Sequence, residues 1–375
     1  MHPKKILILH ASAGHGHEKA ARAVEQACAG VLPQAQVKLY DALSYTSVAF
    51  GKNYRSNYLF MIRYVPWLWG MGYYLLDIPF IYFFVRPVRR FANGCAAKRL
   101  EALILAEKPD VIIATHFLSV EVVSAMKKKK LMDCRLVAVV TDFLAHSFWL
   151  GPGVDVYAVA SEETQEDLEK RGVRPERIRI TGIPVEKKFT QAVSREAARA
   201  RLALPEARFT ALITSGGAGV GSLEGLAKDF LSQKKPVQLL VVCGTNKNLL
   251  SRLEAVAAQD PSLRVFGFVD NIQELMAASN LVIGKGGGLT VSESLCLGKP
   301  LLLFGSVPGQ ETRNARSMAR LGAARVAKSL KDVVRLTTDL MESPEILKEC
   351  TSAALKLGRP QAAADIVRLG AEDHA

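Results

Sequence analysis

Short apolar runs of strand length alternate with helical segments along this chain, and the alternation starts twice. Six runs lie in the first half: Ile6–His10, Val37–Tyr40, Val111–Thr115, Arg135–Thr141, Tyr157–Ala160 and Arg177–Thr181. Five lie in the second half: Ala211–Thr214, Val237–Cys243, Arg264–Phe266, Leu281–Ile283 and Pro300–Phe304. Short buried strands separated by helices are typical of parallel, doubly wound sheets, so we predict an α/β protein.

The length of 375 residues fits two such domains, at roughly 100–200 residues each. We expect a Rossmann-like domain over 1–185, a second over 186–361, and a last helix over 362–375 that packs back on the first. Ligands of these sheets bind at the carboxyl ends of the strands, so the expected site is a central cleft between the domains.

Cysteine and histidine usage argues against metal and disulfides. None of the six cysteines forms a C-x-x-C pair, and the seven histidines make no H-E-x-x-H pattern. We therefore expect no structural metal, no metal cofactor and a reducing compartment. Lys4-Lys5 precede only four apolar residues, too few for the core of a signal peptide.

Three glycine-rich loops follow predicted strands. Gly284–Glu293 runs from a strand into a helix expected to begin near Leu289 or Thr290, so the backbone at Gly287 and Gly288 can approach a diphosphate at a helix N-terminus. Glu293 is expected in about the first turn, facing the ligand, where it can accept hydrogen bonds from ribose. For this motif alone, an ordinary glycine turn is an equal interpretation. The second loop, at 215–221, contains Gly216 and Gly217 and matches a dinucleotide pattern only loosely.

The third glycine loop, His10–Glu18, lies in the other domain and contains three histidines. His10 is expected to be structural. His17 opens a helix, whose dipole is expected to lower the pKa of the ring and keep it neutral. A neutral imidazole is what a general base requires.

The window 38–99 concentrates cations and aromatic residues. It holds nine Lys/Arg, two acids and 16 of the 27 aromatic residues, and contributes +7 of the net charge of +13. Tyr64–Val85 has the length of a membrane span, but Pro66, Pro79 and Asp77 argue against spanning. We interpret 50–91 as a monotopic membrane-docking element with affinity for anionic lipids. An aromatic helical pair packed in the core is the alternative. Nucleic acid is not expected as a partner.

Together these motifs resemble glycosyltransferase family 28, in the branch of the monogalactosyldiacylglycerol synthases and processive diacylglycerol glucosyltransferases. The residues that carry the resemblance are Ser12–Ala21, Val139–Phe143 with His146 and Trp149, Gly284–Gly298 and Pro308–Gln310. The resemblance covers nearly the whole chain. One departure is His15, which stands where many members have a small residue.

The resemblance implies a GT-B fold, inversion at the anomeric carbon and no metal. It implies that His17 is the catalytic base and that Asp142 orients the base or the acceptor, or serves structurally. The implied donor site comprises Gly216, Gly217, Phe268, Val269, Gly287, Gly288, Leu289, Thr290, Glu293, Gln310 and Glu311. The residues expected toward acceptor and membrane are Trp67, Trp69, Arg86, Arg89, Arg90, His146 and Trp149.

The function expected from this reasoning is transfer of galactose or glucose from a UDP-sugar to diacylglycerol at the cytoplasmic face of the membrane. Two alternatives stay open at this point. One is transfer of N-acetylglucosamine to a polyprenyl-linked acceptor. The other is a UDP-sugar epimerase, an isomerase that shares the two-domain architecture and needs no membrane.

Overall fold

A computed structural model describes residues 4–12, 14–191, 193–214 and 223–372, apart from the side chain of Arg55. The chain divides into two compact units: Met1–Lys187 with Arg359–Ala375, and Lys188–Gly358. Each unit is built on one six-stranded sheet in which every strand pair is parallel.

In the first unit the strand order is β2-β1-β3-β4-β5-β6. The strands are β1 Lys5–His10, β2 Gln36–Asp41, β3 Val111–Ala114, β4 Arg135–Val139, β5 Val156–Val159 and β6 Ile178–Ile180. The helices are α1 His15–Val31, α2 Val48–Tyr64, α3 Pro66–Asp77, α4 Pro79–Ala96, α5 Lys98–Glu107, α6 Phe117–Lys128 and α7 Glu162–Lys170. Short 3₁₀ turns lie at Ala42–Tyr45, Ser147–Trp149 and Pro175–Arg177.

In the second unit the strand order is β12-β11-β10-β7-β8-β9. The strands are β7 Phe209–Thr214, β8 Val237–Val242, β9 Leu263–Phe266, β10 Leu281–Gly284, β11 Leu301–Leu303 and β12 Ala324–Val326. The helices are α8 Arg195–Arg201, α9 Leu223–Ser232, α10 Lys247–Ala257, α11 Ile272–Ala278, α12 Gly288–Cys296, α13 Gln310–Arg320, α14 Leu330–Glu342 and α15 Pro344–Leu357.

The last helix, α16 Ala362–Ala371, belongs to the first unit. Its buried Ile366 joins one apolar layer of the sheet with Ile8 of β1 and Val24 of α1. The opposite face of the same strands forms a second layer, which includes Leu7. The central strands are therefore covered on both sides, as continuous apolar runs in a parallel sheet require.

The prediction of an α/β protein with two parallel, doubly wound sheets is confirmed. Several boundaries differ from the expected ones: α1 begins at His15, and α12 begins at Gly288. Strand β12 has only three residues and was not predicted from the sequence.

The aromatic window folds into helices α2, α3 and α4. Pro66 and Pro79 each occupy the first turn of a helix, where the missing N–H costs nothing and the preceding helix must stop. In the described part of the chain, no single helix is long and apolar enough to cross a membrane. Helices α3 and α4, bent by 98° at their junction, pass that test of length and composition only as a pair.

Candidate active site

In the first unit, the chain reverses its direction of winding between β1 and its neighbour β3. Loops leave such a switch point on opposite sides of the sheet and open a crevice at the carboxyl ends of the two strands. The loop after β1 carries His17 into the first turn of α1. The residues after β3 are Thr115 and His116.

His17 is fixed by the end of β3. Its Nδ1 lies 2.8 Å from the carbonyl oxygen of Thr115. Because a carbonyl only accepts, Nδ1 carries the proton and Nε2 is the nitrogen with a lone pair. The Thr115 hydroxyl in turn donates to the carbonyl oxygen of His17 at 2.9 Å. The Thr141 hydroxyl also lies 3.1 Å from Nδ1.

Burial lowers the pKa of His17 to about 4, against the opposing effect of the hydrogen bond to Thr115. A neighbouring imidazole, His10, lowers it further. The ring is therefore neutral at pH 7, as expected from the sequence. The largest cause is burial of the ring.

The other residue predicted to lie near the carboxyl ends of these strands is Asp142. It is half-buried and directly follows Thr141, which contacts the His17 ring.

His116 was missed at the sequence level. Its ring meets that of His17 edge to face, with centroids 4.6 Å apart and an interplanar angle of 85°.

In the second unit, the switch point lies between the adjacent strands β7 and β10. The loops after both strands are the two glycine-rich loops singled out in the sequence. Gly216 and Gly217 lie outside the described residues. The loop after β10 leads through Gly286 and Gly287 into α12.

Two neighbouring glycines of this loop, Gly286 and Gly287, differ in how closely other atoms pack around them. A Cβ on Gly286 would lie 2.2 Å from the carbonyl oxygen of Glu311, so the backbone packs too closely for any side chain. Its N–H donates to the Ser306 hydroxyl, and its carbonyl accepts from the Asn314 amide. A Cβ on Gly287, the N-cap of α12, would by contrast meet no atom of the described residues within 4 Å.

The helix after this loop begins at Gly288, and Glu293 lies further along it than expected. Glu293 is the sixth residue of α12, in its second turn and not its first, and it is buried with 4% exposure. Gly288 is buried, while Leu289 and Thr290 are half-buried in the first turn.

The segment after β11 supplies Gln310 and Glu311 at the start of α13. Gly309 caps this helix with φ of 107°, a conformation that favours glycine. The Glu311 carboxylate accepts a hydrogen bond from the Val307 N–H at 2.7 Å. The side-chain oxygen of Gln310 is buried and accepts no hydrogen bond from the residues that the structure describes. A buried acceptor without a partner calls for an explanation, because most buried polar atoms are hydrogen-bonded.

Phe268 and Val269 follow β9. Phe268 is 58% exposed, and Val269 is half-buried. The Phe268 ring is thus exposed close to the end of β9.

The tryptophans expected to face the membrane differ from each other. Trp67 is 65% exposed. Trp69 is half-buried and packs edge to face on Tyr58. Trp149 is 2% exposed in the core, so it does not lie on a membrane surface, and its expected place toward the acceptor stays a prediction.

Arg89 does not belong to the membrane face either. Arg86 and Arg90 are half-exposed on α4. The Arg89 guanidinium forms an ion pair with Glu121 at 2.5 Å and lies over the Phe148 ring at 4.1 Å. With these partners, the Arg89 guanidinium lies in the interior of the unit.

His146 is another internal residue, with 4% exposure. Its Nδ1 accepts from the Phe148 N–H, and its Nε2 donates to the Tyr73 carbonyl at 3.0 Å. It therefore holds α3 against the unit and does not contact a membrane surface. The neighbouring Asp77 binds Arg171 at 2.7 Å, and hydrogen bonds from Arg171 and Ser147 outweigh burial and lower the pKa of Asp77 to about 2.

Comparisons with known proteins agree with this layout. Residues 17–185 match the family Monogalactosyldiacylglycerol (MGDG) synthase, and residues 210–366 match the Glycosyltransferase family 28 C-terminal domain. A relative named processive diacylglycerol beta-glucosyltransferase, from Bacillus cytotoxicus, is 31% identical over 379 residues, covering 99% of this chain and 94% of its own length.

Solved structures show the fold. The Acinetobacter baumannii MurG has a TM-score of 0.64 at 16% identity, covering 98% of this chain and 99% of its own. A putative UDP-N-acetylglucosamine 2-epimerase from Listeria monocytogenes has a TM-score of 0.59 at 13% identity, covering 97% and 95%. Fold alone therefore does not separate transferase from epimerase.

The two sheets, with their glycine loops at the switch points, and the sequence relationship define a UDP-sugar-dependent glycosyltransferase of the GT-B class. The chain belongs to glycosyltransferase family 28, in its monogalactosyldiacylglycerol synthase branch. The sequence relationship does not favour the epimerase alternative.

Proposed function

We propose that this chain transfers a hexose from a UDP-hexose to the free hydroxyl of diacylglycerol and forms a glycolipid. The family matches and the name of the Bacillus cytotoxicus relative support this substrate pair. That relative is named for glucose and the family for galactose, so both UDP-glucose and UDP-galactose are candidate donors.

The observation that carries the proposal is the state of His17. A neutral imidazole with its Nδ1 proton held by the Thr115 carbonyl has Nε2 ready to accept a proton. The diacylglycerol hydroxyl has a pKa far above 7, so its attack on the anomeric carbon is assisted by a base at hydrogen-bond distance. We assign that role to His17. Asp142, next in sequence to Thr141, is proposed to orient the acceptor.

The second unit is proposed to bind the donor. The open space at Gly287 and the N-terminus of α12 suit a diphosphate, because backbone N–H groups and the helix dipole stabilise its negative charge. The same groups stabilise the UDP leaving group as charge develops on it. The buried oxygen of Gln310 is proposed to accept from a hexose hydroxyl, and Glu293 to bind the ribose.

The residues of the described chain offer no group of three or more metal-ligating side chains. This proposal assigns the charge of the leaving group to the backbone N–H groups and the dipole of α12. The remaining donor assignments from the sequence, Phe268 and Val269 beside the uracil, stay predictions.

We further propose that helices α2–α4 dock on the cytoplasmic surface of the membrane that holds the acceptor. Fifteen of the twenty-one exposed large apolar side chains in the described residues lie between Val48 and Phe91. Phe80 and Phe91 are exposed by 73% and 76%. Exposed apolar residues in this number mark a surface that binds another apolar phase. Arg86 and Lys98 are proposed to add affinity for anionic lipids.

A donor panel tests the function. The protein is incubated with UDP-glucose, UDP-galactose or UDP-N-acetylglucosamine and vesicles that contain either diacylglycerol or polyprenyl-diphosphate acceptor, and lipids and nucleotides are analysed by mass spectrometry. We expect a hexosyl diacylglycerol from one UDP-hexose. Transfer only to the polyprenyl acceptor, or conversion of UDP-N-acetylglucosamine into its epimer, would replace the proposal with one of its alternatives.

A further inference from the structure

His116 is a buried histidine next to the proposed base, and the mechanism above does not use it. It is the second residue after β3 and the N-cap of α6, where its Nδ1 accepts a hydrogen bond from the Leu118 N–H at 3.1 Å. The ring is 2% exposed. Capping by itself needs only a short polar side chain, such as serine, threonine, aspartate or asparagine. A buried imidazole is therefore more than the cap requires.

The ring of His116 lies between three other rings. It meets His17 edge to face at 4.6 Å, stacks in a tilted geometry on Phe117 at 4.1 Å, and faces Tyr54 of α2 at 6.2 Å. These contacts fill the space on one side of the His17 ring with aromatic carbon. Water cannot occupy that space while the ring is there.

The His17 ring needs such a support. Its side-chain hydrogen bonds to the described residues lie at one nitrogen, Nδ1, so the bond to the Thr115 carbonyl fixes that edge and leaves the ring able to pivot about it. A pivot moves Nε2, the atom that must reach the acceptor hydroxyl. The perpendicular ring of His116 blocks that movement on one side.

We propose that His116 is a positioning residue for His17: its ring holds the His17 imidazole in one orientation and keeps water from it. This inference rests on the proposed function, in which His17 is the base. His116 itself touches neither substrate in this proposal.

The surroundings of His116 fit this role. The titratable groups that face it are His17 of α1, His10 of β1, Tyr54 of α2 and Arg89 of α4. Burial and the neighbouring imidazoles hold the pKa of His116 well below its ordinary value. A neutral ring can pack against His17 without adding a charge that would change the protonation of the base.

Two substitutions separate the cap from the ring. His116→Asn keeps an acceptor for the Leu118 N–H but removes the ring. His116→Phe keeps a ring of similar size but removes the acceptor. If His116 only caps α6, the asparagine variant retains activity and the phenylalanine variant loses stability. If the ring positions His17, the phenylalanine variant is more active than the asparagine variant.

The experiment measures kcat, KM for both substrates, the pH dependence of kcat/KM, and thermal stability for both variants of the full-length protein. We expect His116→Asn to lower kcat about 10- to 100-fold with little change in either KM, because a displaced base loses its alignment. Water that enters beside the His17 ring should weaken the effect of burial on its pKa. The acid limb of the pH profile should therefore shift up, toward pH 6.5. We expect His116→Phe to retain kcat within a few-fold and to keep the wild-type pH profile, with a lower Tm.

Three results would overturn the inference: wild-type kcat and pH profile in His116→Asn, greater loss in His116→Phe than in His116→Asn, or equal loss in both. The third result would mean that a ring of similar size without the imidazole nitrogens does not preserve activity. Failure of the underlying proposal is distinguishable, because full transfer by a His17→Ala variant would remove His17 as the base whatever the His116 variants do.

Discussion

Gly286 and Gly287 offer a matched pair of substitutions in the proposed phosphate loop. In Gly286→Ala the new methyl group would lie 2.2 Å from the carbonyl oxygen of Glu311, where contacts below 3.0 Å essentially never occur. The backbone of the loop or of α13 must therefore move by roughly 1 Å, at the cost of overpacking, about 1–3 kcal/mol. For a unit of this size, that corresponds to a drop in Tm of about 3–10 °C.

Gly287→Ala should behave in the opposite way. The methyl group meets none of the described residues within 4 Å, and a φ of −68° is allowed for alanine, so the cost to folding is that of a poorer N-cap, about 1 kcal/mol or less. If a diphosphate approaches the backbone here, the methyl group occupies its space, and the Kd for UDP should rise at least about tenfold, or about 1.4 kcal/mol. Calorimetric titration with UDP and a thermal melt of both variants measure the two quantities. Wild-type UDP affinity in Gly287→Ala would refute the placement of the phosphates, and a wild-type Tm in Gly286→Ala would refute the packing argument.

Three further predictions concern the first unit. Because the neutral form of His17 is the active one and its pKa is about 4, kcat/KM should stay level from pH 8 to about pH 5 and fall below about pH 4; a midpoint near 6.5 would contradict this. Replacing Phe80 and Phe83, exposed by 73% and 62%, with serine should weaken binding to vesicles by about 3 kcal/mol, roughly 100-fold in a sedimentation assay, while Leu131→Ser, outside α2–α4, should leave it unchanged. Asp77→Asn breaks a buried ion pair and should lower the free energy of unfolding at pH 7 by about 3 kcal/mol in urea titrations. Since the folded-state pKa of this carboxyl is lowered to about 2, its stabilisation is present above pH 3.8 and is lost as the pH falls through 2, so the gap between variant and wild type should narrow at that acid end.

The fold followed from the sequence because parallel strands buried on both faces leave long apolar runs, which are visible without a structure. The strand that was missed, Ala324–Val326, has only three residues, and two of them are exposed at the sheet edge. Helices α2–α4 were recognised as one aromatic, basic element. Their separate bounds were not predicted, although Pro66 and Pro79 mark the starts of two of them.

The site was predictable only where its residues are near each other in the chain. His17 stood out in its glycine loop, but its partner Thr115 is 98 positions away and becomes a neighbour only because β1 and β3 are adjacent. A signal was present in the position of Thr115 and His116 directly after a buried strand. Arg89 was assigned to the surface because its partner, Glu121, lies on a separate helix, and no local pattern indicates that pair.

The proposed reaction moves a hexose from UDP to diacylglycerol with inversion at the anomeric carbon. The most direct measurement incubates the protein with ¹³C-labelled UDP-glucose or UDP-galactose and diacylglycerol vesicles, then determines the anomeric configuration of the lipid product by NMR. We predict a β-linked hexosyl diacylglycerol, and its loss in His17→Ala with UDP binding retained. An α-linked product, or release of free hexose without any lipid product, would contradict the account.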